Sequence, residues 1–437
     1  MAEGAQGTRR LRGAIVVTGS EVLAGRVTDK NGPWVSQQFA AYGVETAGII
    51  QVGDRRDDLL KALAQASDWG VDLVATTGGL GPTADDLTIE VVAEYAGRTL
   101  TLDPELESRV WAIVQKILER YPDIDVESLR ATTRKQAMQP LGAVPLEPVG
   151  TAPGSLVPPA EGRGDGPLVI VLPGPPRELQ PMWRAAVGLE PLAGLLAQAA
   201  PFEERMLRLI GLPESDLAAA LEEIEGGGVA LDRLEITTCM RSGEIEIVTR
   251  YEPGDAPVYD ELDAAIRERY GARLYSDDGA GVDEVVRRQL IEHGWTIGLA
   301  ESCTGGLVAS KLIEPAGASA YVRGGIVAYD NEVKVSALGV PAELIEEHGA
   351  VSEAVAIAMA QGAVERLGAN CGVSTTGVAG PDGGTDEKPV GLVWVAAVVP
   401  GREPVARSLI IPGSRNAIRE RAVTFALHTL RTAVEPD

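Results

Sequence analysis

Apolar and polar positions alternate along this chain in blocks that favour parallel α/β structure. Near the start, Ala14–Thr18 (AIVVT) predicts a buried strand, and Pro33–Tyr42 predicts a helix closing at Gly43. Asp72–Thr77 (DLVATT) predicts a second buried strand, which runs into GGLGPTADD and a helix from about Leu87. Leu168–Leu172 (LVIVL) predicts a third, ending in PGPPREL, after a turn-rich stretch at Glu161–Pro167. From Phe202 to Gly271 the pattern shifts to a small α+β module. Its expected elements are a strand at Arg205–Ile210, a helix at Glu214–Glu225, alternating strand signals in Glu235–Arg250 and a helix at Tyr259–Tyr270.

SDDGAG (Ser276–Gly281) reads as a linker, and an amphipathic helix starts at Val282. Thr296–Ala300 is an expected strand that enters ESCTGG and the helix Leu307–Ile313. Gly325–Tyr329, Gly372–Thr376 and Leu392–Val399 are further expected strands, with helices at Ser352–Arg366 and Ala417–Thr429. The expected domains are therefore residues 1–185, 186–275 and 282–437.

Composition narrows the classes of function. Of the 437 residues, 63 are acidic and 39 basic, a formal net charge of −24. Coating a nucleic acid needs clustered Lys and Arg, so such a role is not expected. Aromatics make up 4% of the chain, so its cores must be built from Val, Leu, Ile and Ala. Cys239, Cys303 and Cys371 are widely spaced, without zinc spacing, and their odd number argues against a disulfide framework. No apolar signal segment follows the basic start and no stretch is apolar enough to span a bilayer, so a cytoplasmic protein without membrane contact is expected.

The candidate chemistry lies in two strand-to-helix turns. In ESCTGG, glycines permit tight turns, and free N–H groups there would serve an anion or an oxyanion. Ser302 or Thr304 is then either a nucleophile or a helix cap, and Cys303 is a rival nucleophile. A serine needs a base. His293 and His348 each precede a glycine, as at helix ends, and His428 lies within a terminal helix, so a histidine triad has little support. Lys334, after the apolar run GGIVAYDNEVK, is either a base with a depressed pKa or a solvated helix lysine. The glycine-rich loop Val378–Gly391 follows a buried strand, where ligand crevices form in α/β sheets. Arg415 and Arg419 stand one helical turn apart, spaced to clamp an anion or to pair with acids such as Glu420. In the first region, GGLGPTADD is neither a Walker A loop nor GxGxxG. Its backbone would cradle phosphate and Asp85 and Asp86 would hold a divalent metal, or else the segment is a capped helix start with an acidic first turn.

AESCTGGLVASKL, GGIVAYDNEVK, GAVSEAVAIAMAQGA and TTGVAGPDGGTDEKPVGLVWVA resemble the C-terminal domain of the competence/damage-inducible CinA family, over about Asp283 to Leu430. That domain also occurs alone as a nicotinamide mononucleotide (NMN) deamidase. The resemblance implies Ser302 as nucleophile, Lys334 as base and Tyr329 as a supporting hydroxyl. It implies Thr304, Gly305, Gly306, Thr376, Gly380 and Arg415 on the substrate side, and no cofactor.

TGSEVLAGRVTDKN, TTGGLGPTADDLT, GTAPG and LPGPPREL resemble the MoaB/MogA-like molybdopterin-binding domain that opens CinA proteins, over about Gly13 to Met182. This implies a nucleotide or pterin pocket formed by Glu21, Gly79, Gly81, Thr83, Gly150 and Arg177. It also implies a divalent-metal ADP-ribose pyrophosphatase, as reported for some relatives, with Asp85 and Asp86 as ligands. Glu147 stands where the family has Asn, and Lys30 where it has a small hydroxyl residue. The middle module takes the place of a KH-like segment but lacks a basic GXXG loop, so RNA binding is not expected. The family implies a homodimer. The alternative to a deamidase is a non-catalytic nucleotide- or pterin-binding regulator that keeps both folds.

Overall fold

The structure is a computed structural model that describes residues 8–119, 126–159 and 166–435. Two compact units divide the chain, Met1–Phe202 and Glu203–Asp437. The boundary expected at residue 185 lies inside the first unit. Leu192 is buried in that unit's core, and the Arg9 N–H donates to the Gln198 carbonyl at 2.8 Å. Most of the turn expected at 161–167 falls outside the described residues.

In the first unit a six-stranded sheet runs in the order Val44–Val52, Leu11–Thr18, Leu73–Thr77, Leu168–Leu172, Gly154–Val157, Val144–Leu146. The first four strands are parallel and the last two join antiparallel. Both faces are covered, which is why the strands read as unbroken apolar runs. Ile15, Val17, Ile170 and Leu172 face one core with Phe39 and Trp183, while Val16, Val74 and Val171 face another with Leu63 and Val92. All three strands expected from the sequence are present, flanked by the helices Asn31–Ala41 and Thr88–Tyr95.

The second unit begins with the α+β module. Its antiparallel sheet runs Glu235–Arg241, Glu244–Tyr251, Glu203–Ile210, Leu274–Ser276, backed by the helices Glu214–Gly226 and Ala256–Tyr270. Tyr275 belongs to the core of the following domain, and Glu244 Oε1 lies 2.7 Å from His428 Nε2 across buried space. Module and C-terminal domain thus form one body.

The C-terminal sheet runs Val322–Val327, Ile297–Glu301, Cys371–Gly377, Leu392–Val398, Val405–Ile410, the first three parallel and the last two antiparallel. One face packs on the helices Val282–Glu292 and Arg415–Val434. The other carries Glu353–Leu367 at close range: a Cβ on Gly372 would stand 2.2 Å from the Ala360 carbonyl oxygen, so only glycine fits. The three parallel strands end at one edge, with Glu301 in register with both Val327 and Thr375. That edge gathers ESCTGG, the Tyr329–Lys334 segment and the Val378–Gly391 loop, the usual place for a ligand crevice in such sheets. Among the described residues no helix is long and apolar enough to cross a membrane.

Candidate functional site

The strand Ile297–Glu301 is buried throughout and delivers Ser302, itself 7% exposed, into the turn before the helix Leu307–Ile313. Gly305 and Gly306 both take left-handed φ values, +61° and +95°, which lets the chain reverse within four residues. The carboxylate of Glu301 closes this turn from beneath. Its Oε2 accepts from the Thr304 hydroxyl (2.7 Å), the Gly306 N–H (2.8 Å) and the Val308 N–H (3.1 Å), and its Oε1 accepts from the Ala309 N–H (2.8 Å).

This corrects two expectations. Thr304 is fully buried, and its hydroxyl is shared between Glu301 and the Thr375 hydroxyl (2.6 Å), so its side chain does not face a substrate. The Gly306 N–H, expected to face an oxyanion, is spent on Glu301. The Gly305 N–H closes the turn on the Ser302 carbonyl at 3.2 Å. Among the described residues the N–H groups of Cys303 and Thr304 donate to no protein oxygen. The Cys303 sulfur lies beside them, but burial pushes its thiol up to about 11, and a protonated thiol is a poor acceptor and a poor nucleophile.

Lys334 sits on the helix Asn331–Leu338 and is 2% exposed. Its Nζ donates to the Tyr329 carbonyl at 3.2 Å and to Asn331 Oδ1 at 3.5 Å, and it makes no ion pair among the described residues. Burial lowers its pKa below that of an ordinary lysine, opposed by the charge of Asp330. The strand before the Tyr329–Lys334 segment ends level with Glu301, and the Ala328 N–H donates to the Glu301 carbonyl at 2.8 Å, so the segment that carries Lys334 leaves the sheet beside the nucleophile turn. Among the described residues no hydrogen bond joins Ser302 to Lys334.

Tyr329 is placed differently from its expected supporting role. It is 64% exposed, and its hydroxyl accepts from Arg415 Nη2 at 3.1 Å. The other guanidinium nitrogen of Arg415 donates to the Gly380 carbonyl at 2.7 Å, so Tyr329, Gly380 and Arg415 form one rim. The Thr376 hydroxyl donates to the Ala350 carbonyl at 2.8 Å, which leaves only its lone pairs for a ligand. The sequence reading missed Glu301 and assigned Arg419 no place in the turn. Arg419 Nε and Nη2 donate to the carbonyls of Cys303 (3.2 Å) and Thr304 (2.9 Å). The acidic residue preceding the serine was the available signal for Glu301.

In the first unit, a cleft of about 340 Å³ lies above the strand ends and is lined in part by Glu21, Gly79, Gly81, Asp85 and Asp86. Gly79 has a φ of +63°, and a Cβ there would collide with the Thr88 hydroxyl. Three expectations shift. Thr83 and Gly150 adjoin the cleft without lining it, because the Thr83 hydroxyl turns onto Asp85 (2.5 Å) and Asp86 (2.6 Å), while Gly150 packs on Glu178. The Arg177 side chain is 86% exposed; its neighbour Glu178 lines the cleft instead, its pKa raised by burial. Asp54 lines it as well. Glu147, which departs from the family pattern, pairs with Arg109 at the surface.

The donor set fits a metal poorly. Asp85 is held ionised by the Thr83 hydroxyl, Asp86 accepts from the Thr83 N–H, and the described residues hold no group of three ligating side chains.

The fold and these two crevices define a two-unit α/β protein with a strand-to-helix turn at the centre of each candidate site. Residues 280–434 match the family model described as CinA C-terminal domain, and 14–192 that described as probable molybdopterin binding domain. A CinA-like protein of Mycolicibacterium gilvum is 52% identical over 423 residues, covering 97% of this chain and 98% of its own length. One from Mycobacterium tuberculosis is 50% identical and covers 96% of each chain. A solved competence/damage-inducible protein from Agrobacterium tumefaciens is 42% identical, covers 34% of this chain and 92% of its own, and has a TM-score of 0.33. The chain belongs to the CinA-like protein family, with a MoaB/MogA-like N-terminal domain and a CinA C-terminal domain.

Proposed function

We propose that the C-terminal domain hydrolyses the carboxamide of nicotinamide mononucleotide, releasing ammonia and nicotinic acid mononucleotide. The observation that carries this reading is Lys334, a lysine 2% exposed, without an ion-pair partner among the described residues and with a depressed pKa, on the segment that leaves the sheet beside Glu301 and Ser302. Burying a charged amine this way is costly, and a neutral amine in that place is a base.

Neutral Lys334 takes the hydroxyl proton as Ser302 Oγ bonds to the carboxamide carbon. The carbonyl oxygen gains the negative charge and is received by the N–H groups of Cys303 and Thr304. As the intermediate collapses, the carbon–nitrogen bond breaks and the Lys334 ammonium returns its proton to the departing nitrogen, giving ammonia. Water, deprotonated by Lys334, then attacks the acyl-serine ester, and Ser302 leaves with the proton. Arg415, on the rim with Tyr329, supplies a cation for the substrate's phosphate.

For the N-terminal cleft we infer nucleotide or pterin binding. Its glycine turn offers backbone donors, while its lining carries Glu21, Asp54, Asp85, Asp86 and Glu178. A bare anion is repelled there, so a ligand with a neutral polar ring suits it better than free phosphate.

The test is ammonia release from NMN by the purified full-length protein, with Ser302→Ala in parallel. Release by the wild type alone supports the deamidase. NMN-induced thermal stabilisation of both proteins without ammonia release would instead make this a binding protein.

A further inference from the structure

We propose that Arg419 is a positioning residue of the amidohydrolase, acting through two peptide groups to strengthen the oxyanion donors. The inference rests on the deamidase reading but concerns the turn itself.

The guanidinium touches neither Ser302 nor Lys334. It holds the carbonyl oxygens of Cys303 and Thr304, at 3.2 and 2.9 Å. The Cys303 carbonyl shares its peptide plane with the Thr304 N–H. Donation from Arg419 Nε therefore polarises that peptide and makes the Thr304 N–H a better donor. The second contact works one step further away. Donation from Nη2 to the Thr304 carbonyl polarises the Gly305 N–H, which donates to the Ser302 carbonyl at 3.2 Å. That carbonyl shares its peptide with the Cys303 N–H. Two relays thus leave one cation and end on the two N–H groups that the turn leaves without a protein oxygen acceptor.

Arg419 also answers an electrostatic problem. The Glu301 carboxylate lies directly under the turn, bound to Thr304 and Gly306, and it acts on Cys303 as a nearby negative charge. An anion there opposes the oxyanion that develops on the substrate's carbonyl oxygen. The Arg419 cation, on the carbonyl side of the same peptides, offsets it. The helix Arg415–Val434 makes this division of labour possible: Arg415 in its first turn faces the rim, and Arg419 one turn later reaches the turn carbonyls.

The experiment compares Arg419→Met, Arg419→Lys and Arg415→Met in the full-length protein. Arg419→Met is expected to lower kcat for NMN by about 10- to 30-fold, less than the roughly 10²–10³ of deleting an oxyanion donor outright because both N–H groups remain, with KM within about threefold of wild type. Arg415→Met is expected to show the opposite split, raising KM with less loss of kcat. Arg419→Lys, which keeps the charge but cannot reach both carbonyls, should fall between, and added guanidinium ion at millimolar concentration should restore part of the Arg419→Met loss.

Labelling of Ser302 by a fluorophosphonate, read by mass spectrometry, gives a readout independent of NMN, because the phosphonyl oxygen occupies the same donors. If wild type labels at Ser302 yet leaves NMN intact, the substrate assignment fails; the Arg419 inference then stands if Arg419→Met still labels at least tenfold more slowly. Equal labelling of folded wild type and Arg419→Met, or a loss confined to KM, overturns it.

Discussion

The Glu301 carboxylate and the Thr304 hydroxyl meet at 2.7 Å beneath the nucleophile turn, both almost wholly buried. Three backbone N–H groups converge on the same carboxylate. Replacing it with alanine strands all of these donors at once. Each orphaned buried donor costs about 1–3 kcal/mol, so Glu301→Ala is expected to destabilise the second unit by about 3 kcal/mol or more. Thr304→Val, which strands fewer groups, should cost about 1–3 kcal/mol, and Thr304→Ser much less. Urea unfolding followed by Trp295 and Trp394 fluorescence, with these the only tryptophans retained, reads this unit. A fall below about 1 kcal/mol for Glu301→Ala would show that the turn does not depend on the carboxylate.

The cysteines should separate cleanly by reactivity. Cys239 is exposed, while Cys303 and Cys371 are buried with thiols pushed up to about 11 and about 12. Brief iodoacetamide treatment of the folded protein at pH 7.5 should therefore modify the exposed Cys239 and spare the other two. Cys303→Ala should keep most of the ammonia release from NMN. Rapid alkylation of Cys303 that abolishes activity, together with a dead Cys303→Ala, would make the thiol the nucleophile.

How much of this was legible in sequence depended on range. Ala14–Thr18 and Leu168–Leu172 are apolar on both faces, and the strands stand where that pattern put them. Val405–Ile410 escaped notice because it is an edge strand with an exposed C-terminal half, so its residues carry no burial signal. Glycines and the polar residues beside them marked the two candidate turns, although no side chain caps the helix after either. Side-chain direction was not marked. Nothing local says that Thr304 points down onto Glu301, that the Tyr329 hydroxyl meets an arginine 86 residues away, or that Arg177 faces solvent while Glu178 faces the cleft. Those are consequences of tertiary packing, and roles carried over from a family motif do not contain them.

Lys334 predicts a pH dependence of both activity and stability. As a base it must be neutral, and burial lowers its pKa from the ordinary 10.5. Deamidation should rise with pH through that lowered value and level off above it, below the point where an exposed lysine would titrate. The linked effect on stability has the same sign. Between the folded-state value and 10.5 the unfolded chain binds the extra proton, so this residue's contribution to stability increases with pH across that window and is constant below it. In Lys334→Met both effects should vanish: no activity at any pH, and a flatter Tm profile on the alkaline side. An activity profile in wild type that follows an unshifted lysine would remove Lys334 from the role of base.

The contact of Arg415 Nη2 with the Tyr329 hydroxyl, 3.1 Å at an exposed rim, separates two roles for the tyrosine. If its hydroxyl moved protons at Ser302, Tyr329→Phe would cost the 10²–10⁴-fold in kcat typical of lost acid–base catalysis. The geometry gives it instead the task of aiming Arg415, whose second contact, the Gly380 carbonyl, survives the change. Tyr329→Phe should therefore leave kcat within about tenfold and raise KM by about 3- to 10-fold, because a single exposed hydrogen bond to a charged group is worth about 1 kcal/mol here. Tyr329→Ala, which removes the same hydroxyl, should raise KM to a similar extent. Replacing NMN with nicotinamide riboside, which lacks the phosphate, should erase most of the difference between wild type and Tyr329→Phe. A large kcat loss that persists with the riboside would place the hydroxyl at the reacting centre after all, by a movement of the rim when substrate binds.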